Sequence, residues 1–170
     1  FVARTIDSDR KHLTEVLRAA AAHEGAAFVE IYQNCNIFND GAWEPLKDND
    51  TRDDALIRLV DGEPIRFGAE GDKGVARMAN GDIKVVDVAE VGEGALLRHD
   101  STRKDPGLAF ALSRLSNPRT LSNTAIGVFR DIARPSYDRL VREQIEQVIA
   151  TKGRSDLQSL VTGSDTWTVS

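Results

Sequence analysis

The chain has 170 residues, 41% of them hydrophobic and 29% charged, which suits one compact domain with a sizeable core. Net charge is -5, with 22 basic residues interspersed among 27 acidic ones, so the sequence carries no basic footprint for nucleic acid or an anionic membrane. No apolar run of about 18 residues occurs and the start lacks the pattern of a secretory signal, which makes the cytoplasm the expected compartment.

The chain opens FVARTIDSD, with Phe1 in place of methionine and Val2, Arg4 and Ile6 already alternating as in a strand, so a piece of a longer polypeptide is expected. Asp7 and Ser8 then offer N-cap side chains. Leu13, Val16, Leu17 and Ala20 recur at helical spacing until Gly25 supplies a stop. Phe28, Val29, Ile31 and Tyr32 form a second β-rich run. The order strand, helix, strand gives a crossover long enough for parallel pairing, and functional groups of parallel α/β sheets gather in loops beyond the carboxyl ends of strands. NCNIFND, with the sole cysteine Cys35, is such a loop.

Farther along, DNDTRDD reads as a polar hinge, and ALIRLV, the turn DGEP and IRFG as two strands of a hairpin. The glycine-rich and charged segment from Gly68 to Gly94 reads as a partly mobile surface excursion, with NGD as a turn and IKVVDV as a strand. PGLAFALSRLS has the proline and periodicity of a helix start, and AIGVFRDI reads as a strand. PSYDRLVREQIEQVIATKG places Leu140, Val141, Ile145, Val148 and Ile149 along an amphipathic helix ended by Gly153. SDLQSLVTGSDTWTV gives a short helix, a polar turn and an apolar end, with Trp167 expected to pack.

Several motifs fail on their chemistry. DNDTRDDALIRL departs from a calcium loop at Arg52, at Asp53 in place of glycine, and at Leu59 where a bidentate glutamate is needed. GEGALL lacks the third glycine of a dinucleotide fingerprint, and GDKG reads as a solvated turn rather than an RNA-binding loop. His12 and His23 lie on nearly one helix face but about 16 Å apart along its axis, too far to share a metal. His99, Asp100 and Ser101 are adjacent, which seldom aims three side chains at one another. Asp53 and Asp54 sit in polar company, where a solvated face is expected.

Cys35 remains. One cysteine makes neither an internal disulfide nor a complete cysteine metal site, and by itself it reads as a buried, inert thiol. The stretch FVARTIDSDRKHLTEVLRAAAAHEGAAFVEIYQNCNIFND, followed by LVDGEPIRFG and GSDTWTV, resembles the carboxyl-terminal half of the beta subunit of two-subunit 2-oxoacid:ferredoxin oxidoreductases, particularly the 2-oxoglutarate type. EIYQNCNIFND is its most specific element. The resemblance implies an α/β fold in which residues 1–47 are the last strand-helix-strand of a parallel-sheet thiamine-diphosphate-binding domain. Residues 48–170 would be a mixed α/β carboxyl-terminal extension. It also implies that Cys35 is the fourth thiolate of a 4Fe-4S cluster whose other cysteines, like the Mg2+ and thiamine diphosphate motif, belong to the amino-terminal half. Asn34 and Asn36 would then donate towards cluster sulfurs or simply form the turn. The implied partners are an alpha subunit, the amino-terminal half of the beta subunit, ferredoxin, a 2-oxoacid and coenzyme A. The chain alone is expected to catalyse nothing. A non-catalytic assembly or interaction module retaining this fold is the alternative.

Overall fold

The computed structural model describes residues 1–167 and 169, so Thr168 of the GSDTWTV stretch lies outside the described residues. Two compact units divide the chain, Phe1–Arg134 and a second from Pro135 onward.

The first unit begins as its periodicity predicts. Strand β1 (Val2–Ile6) leads into helix α1 (Arg10–Ala22) and strand β2 (Phe28–Tyr32), and β1 pairs parallel with β2 from Val2 opposite Phe28 to Ile6 opposite Tyr32. Val16 of α1 packs with Phe1 and Ala3, the small core beneath this crossover. The cap of α1 is Asp9, whose Oδ1 accepts the His12 N–H, rather than Asp7 or Ser8.

Two single-turn helices, α2 (Glu44–Lys47) and α3 (Arg52–Ala55), deliver the chain into β3 (Leu56–Leu59). The expected hairpin does not form. Strand β3 pairs parallel with β7 (Thr124–Arg130), and β4 (Arg66–Phe67) pairs antiparallel with β5 (Lys73–Arg77). The turn residues between β3 and β4 instead bond to the segment before Asp100: Gly62 N–H to His99 O, His99 N–H to Glu63 O and Ile65 N–H to Leu97 O. Buried Leu56, Ile57 and Leu59 gain more from a position beside β7 than a two-strand ribbon would give them.

Sheet A thus runs β2-β1-β7-β3, two parallel pairs joined by antiparallel β1 and β7. Sheet B is the antiparallel ribbon β4-β5-β6, with β6 at Ile83–Asp87 and a short helix α4 (Val88–Val91) behind it. The architecture is α/β. The segment from Gly68 to Gly94 is no mobile excursion, since Val75 and Ala76 of β5 are buried and Val75 belongs to the main core. That core joins Ile57, Leu59, Ala125 and Phe129 of sheet A to Phe67 and Val75 of sheet B and to Leu108 and Leu112 of helix α5 (Gly107–Ser113).

The second unit carries α6 (Tyr137–Lys152), capped by Ser136, and α7 (Leu157–Thr162), capped by Asp156. Trp167 is 84% exposed, contrary to the packing expected from its size. No helix among the described residues is long and apolar enough to cross a membrane.

Candidate functional site

Strand β2 ends at Tyr32, and the loop beyond it carries Cys35. Its base is fixed by aromatic packing: the Tyr32 ring stacks on Trp43 with centroids 4.0 Å apart and planes 13° from parallel. The Arg4 guanidinium lies 5.1 Å from the Tyr32 ring centre while its Nε donates to Glu30 at 2.6 Å. These contacts anchor the two ends, so the residues between them form a defined loop.

Asn34 organises that loop. Its Nδ2 donates to Asn36 Oδ1 and to Asp40 Oδ1, both at 2.8 Å, and its Oδ1 accepts the Gly41 N–H at 2.9 Å. Asn39 N–H donates to Cys35 O at 2.9 Å and closes the turn. Gly41, at φ of 74°, takes the left-handed conformation that lets the chain leave towards α2. Of the two roles open to Asn34, turn formation is the one its geometry fills.

The thiol sits inside this turn. The backbone N–H groups of Phe38, then Ile37, hold its pKa below the ordinary thiol value of 9.0, against a weaker upward push from burial. The Phe38 and Ile37 amides favour the thiolate form. The side chains of Ile37 and Phe38 project outward, 83% and 90% exposed.

A thiolate so placed is a soft metal ligand. Among the described residues no three His, Cys, Asp or Glu side chains converge as a metal site. Sequence reasoning picked out the sulfur but not the amides around it, because N–H direction is a property of loop conformation.

The other polar candidates have structural employment. His12 Nδ1 meets Thr5 Oγ1 at 2.7 Å, and His23 Nδ1 meets Asp131 Oδ1 at 2.7 Å. Buried His99 donates from Nε2 to Val128 O at 2.7 Å. Ser101 N–H is held by Asp61 and Thr102 by Asp100, so His99, Asp100 and Ser101 form no triad. Asp54 pairs with Lys73 at 2.7 Å, and Asp53 lies near Arg52 at 3.6 Å.

No family model matches the chain, and no solved structure matches it. The 2-oxoglutarate oxidoreductase subunit KorB of Mycobacterium tuberculosis (strain ATCC 25618 / H37Rv) is 47% identical over 171 residues. The chain spans 45% of the length of that curated relative. Along 99% of its own length, this chain is similar to a 2-oxoglutarate oxidoreductase subunit, and the resemblance carried by EIYQNCNIFND is borne out.

Proposed function

We propose that this chain corresponds to the carboxyl-terminal half of the beta subunit of a cytoplasmic 2-oxoacid:ferredoxin oxidoreductase of the 2-oxoglutarate type, and that Cys35 supplies one thiolate to its 4Fe-4S cluster. Residues 1–47 then complete the thiamine-diphosphate-binding domain and residues 48–170 form its extension. An alpha subunit, ferredoxin, a 2-oxoacid and coenzyme A are the partners of the whole enzyme, with Mg2+ and thiamine diphosphate held by residues outside this chain. The observation that carries the reading is the placement of Cys35 in the ordered loop beyond β2 of a chain 47% identical to a 2-oxoglutarate oxidoreductase subunit.

When bound, such a cluster supplies one-electron chemistry. The residues of this chain act on the ligand rather than on the substrate. Amides of Phe38 and Ile37 would offset negative charge on the Cys35 sulfur, which in iron-sulfur sites raises the reduction potential. Asn34 keeps those amides in place through its contacts with residues 36, 40 and 41. The 170-residue chain, with a single thiolate, is expected to retain neither a stable cluster nor thiamine diphosphate.

The test is Cys35→Ala in the full-length subunit copurified with its partner. Iron per subunit and visible absorption fall, and ferredoxin reduction falls far more than carbon dioxide release in a single turnover. Full iron content with normal ferredoxin reduction would show Cys35 to be a packed thiol, whose loss costs only about 1 kcal/mol.

A further inference from the structure

Away from the Cys35 loop, sheet B and α5 border a cleft of about 640 Å³, a volume within the range of small-ligand sites. Four cations line it: Arg77 on β5, Lys84 on β6, Arg103 in the loop before α5, and Arg114 at the end of that helix. None of the four makes an ion pair with a carboxylate among the described residues, although other cations of the first unit do, such as Arg4, Arg58 and Lys73. Only two carboxylates share the cleft, and each is engaged in its own turn. Asp82 accepts from Asn80 Nδ2 at 2.7 Å, and Asp105 accepts the Gly107 N–H at 3.0 Å. Four cations against two carboxylates leave a local charge of +2 in a chain whose net charge is -5. Like charges gathered this way repel one another, and an anion seated among them relieves that repulsion.

The cleft also offers an aromatic surface. Phe110 is 63% exposed, and the Arg114 guanidinium lies 5.4 Å from its ring centre. Arg77 donates from Nη1 to Gly81 O at 2.8 Å, which restrains its guanidinium against the cleft wall. Fixed guanidinium groups match phosphate oxygens, and an exposed ring beside an arginine is a platform for a planar base. An acidic protein surface would need the cations but not the ring or the concavity.

We propose that this cleft binds a nucleoside diphosphate, its phosphates among Arg77, Lys84, Arg103 and Arg114 and its base on Phe110. The site is separate from Cys35 and stands whether or not Cys35 ligates a cluster.

Calorimetric titration of the 170-residue chain with ADP, and with tripolyphosphate as a base-free probe, tests it at low salt. Saturable one-to-one binding of ADP that weakens as salt rises is expected. Arg77→Gln combined with Lys84→Gln weakens both probes about tenfold or more, while Phe110→Ala weakens ADP about tenfold and leaves tripolyphosphate unchanged. All three side chains belong to exposed residues, and circular dichroism verifies that the variants fold. Absence of saturable ADP binding at millimolar concentration overturns the site. So does unchanged affinity in the charge variant, unchanged ADP affinity in Phe110→Ala, or binding of polyglutamate in preference to ADP.

Discussion

Asp9 serves two elements with one carboxylate. Its Oδ1 caps α1 through the His12 N–H at 3.1 Å, and its Oδ2 pairs with Arg58 of β3 at 2.9 Å. Burial pushes this carboxyl up, but the His12 amide and Arg58 together hold it below its ordinary 3.8. The neighbouring His12 imidazole is pushed below its ordinary 6.5, chiefly by burial and further by Arg58, against the opposing pull of Asp9 and Glu15. The signs depend on which state binds protons more readily. His12 is a weaker base folded than unfolded, so its contribution is intact above pH 6.5 and is lost as pH falls from 6.5 towards the folded pKa. For Asp9, stability is present above pH 3.8 and is lost as pH falls through the lower folded value. Urea unfolding of the wild type should therefore show a first decline as pH falls below about 6.5, the ordinary histidine value. In His12→Gln that decline should flatten, and an undiminished slope would assign it to another group. The sequence named the wrong cap for α1. Asp7, Ser8 and Asp9 are equivalent as local signals, and Arg58, which engages Asp9, comes from a distant strand that no local pattern reveals.

At the scale of elements, the informative strand is β7. Val2 pairs with Arg130 but Ala3 with Val128, which leaves Phe129 as an extra residue opposite β1. This bulge coincides with burial of Phe129 in the main core and with the His99 bond to Val128 O, so the interruption of the ladder serves packing. Two residues earlier, Gly127 has φ of 119°, and a Cβ there would lie 2.8 Å from Leu59 O and 3.1 Å from Leu59 Cβ. Gly127→Ala combines backbone strain with a clash against the paired strand and should destabilise the fold by about 3 kcal/mol. Chemical denaturation measures this, and a loss below about 0.5 kcal/mol, typical of neutral surface changes, would mean that β3 and β7 can separate freely. Elements defined by periodicity alone were legible in the sequence: β1, α1, β2, β6, α5 and α6 lie where apolar spacing puts them. Pairing was not. The DGEP turn signal was real, but a turn specifies only that the chain reverses, and the partners of Leu56–Leu59 are chosen by burial against residues 124–127.

Across the whole chain, every residue of the three buried hydrophobic clusters falls between Phe1 and Phe129, inside the unit that ends at Arg134. Helix α6 contributes no buried residue, and Tyr137, Leu140, Ile145 and Val148 are exposed. A polypeptide of residues 1–134 should consequently fold by itself, with a single cooperative thermal transition by circular dichroism. A molten, non-cooperative profile would show that the core requires the helical segment from Pro135 onward. The Cys35 loop was legible as a position and a residue type, because a strand end and a lone sulfur are written in the sequence. Its amides and the cations of the sheet B cleft were not, since Arg77, Lys84, Arg103 and Arg114 come together only after β5, β6 and α5 have packed.

The order β2-β1-β7-β3 also sets a timetable for synthesis. Strands β1 and β2 leave the ribosome as neighbours with their crossover helix between them, yet the open flank of β1 belongs to β7, which arrives roughly a hundred residues later. At translation rates of roughly 5–20 residues per second, that flank waits on the order of 5–20 s for its partner, and β3 waits for the same strand. Closure of sheet A is therefore governed by the emergence of one late segment, Thr124–Arg130. A nascent chain stalled before that segment presents two unpaired strand flanks to whatever chaperone or neighbouring chain reaches them first.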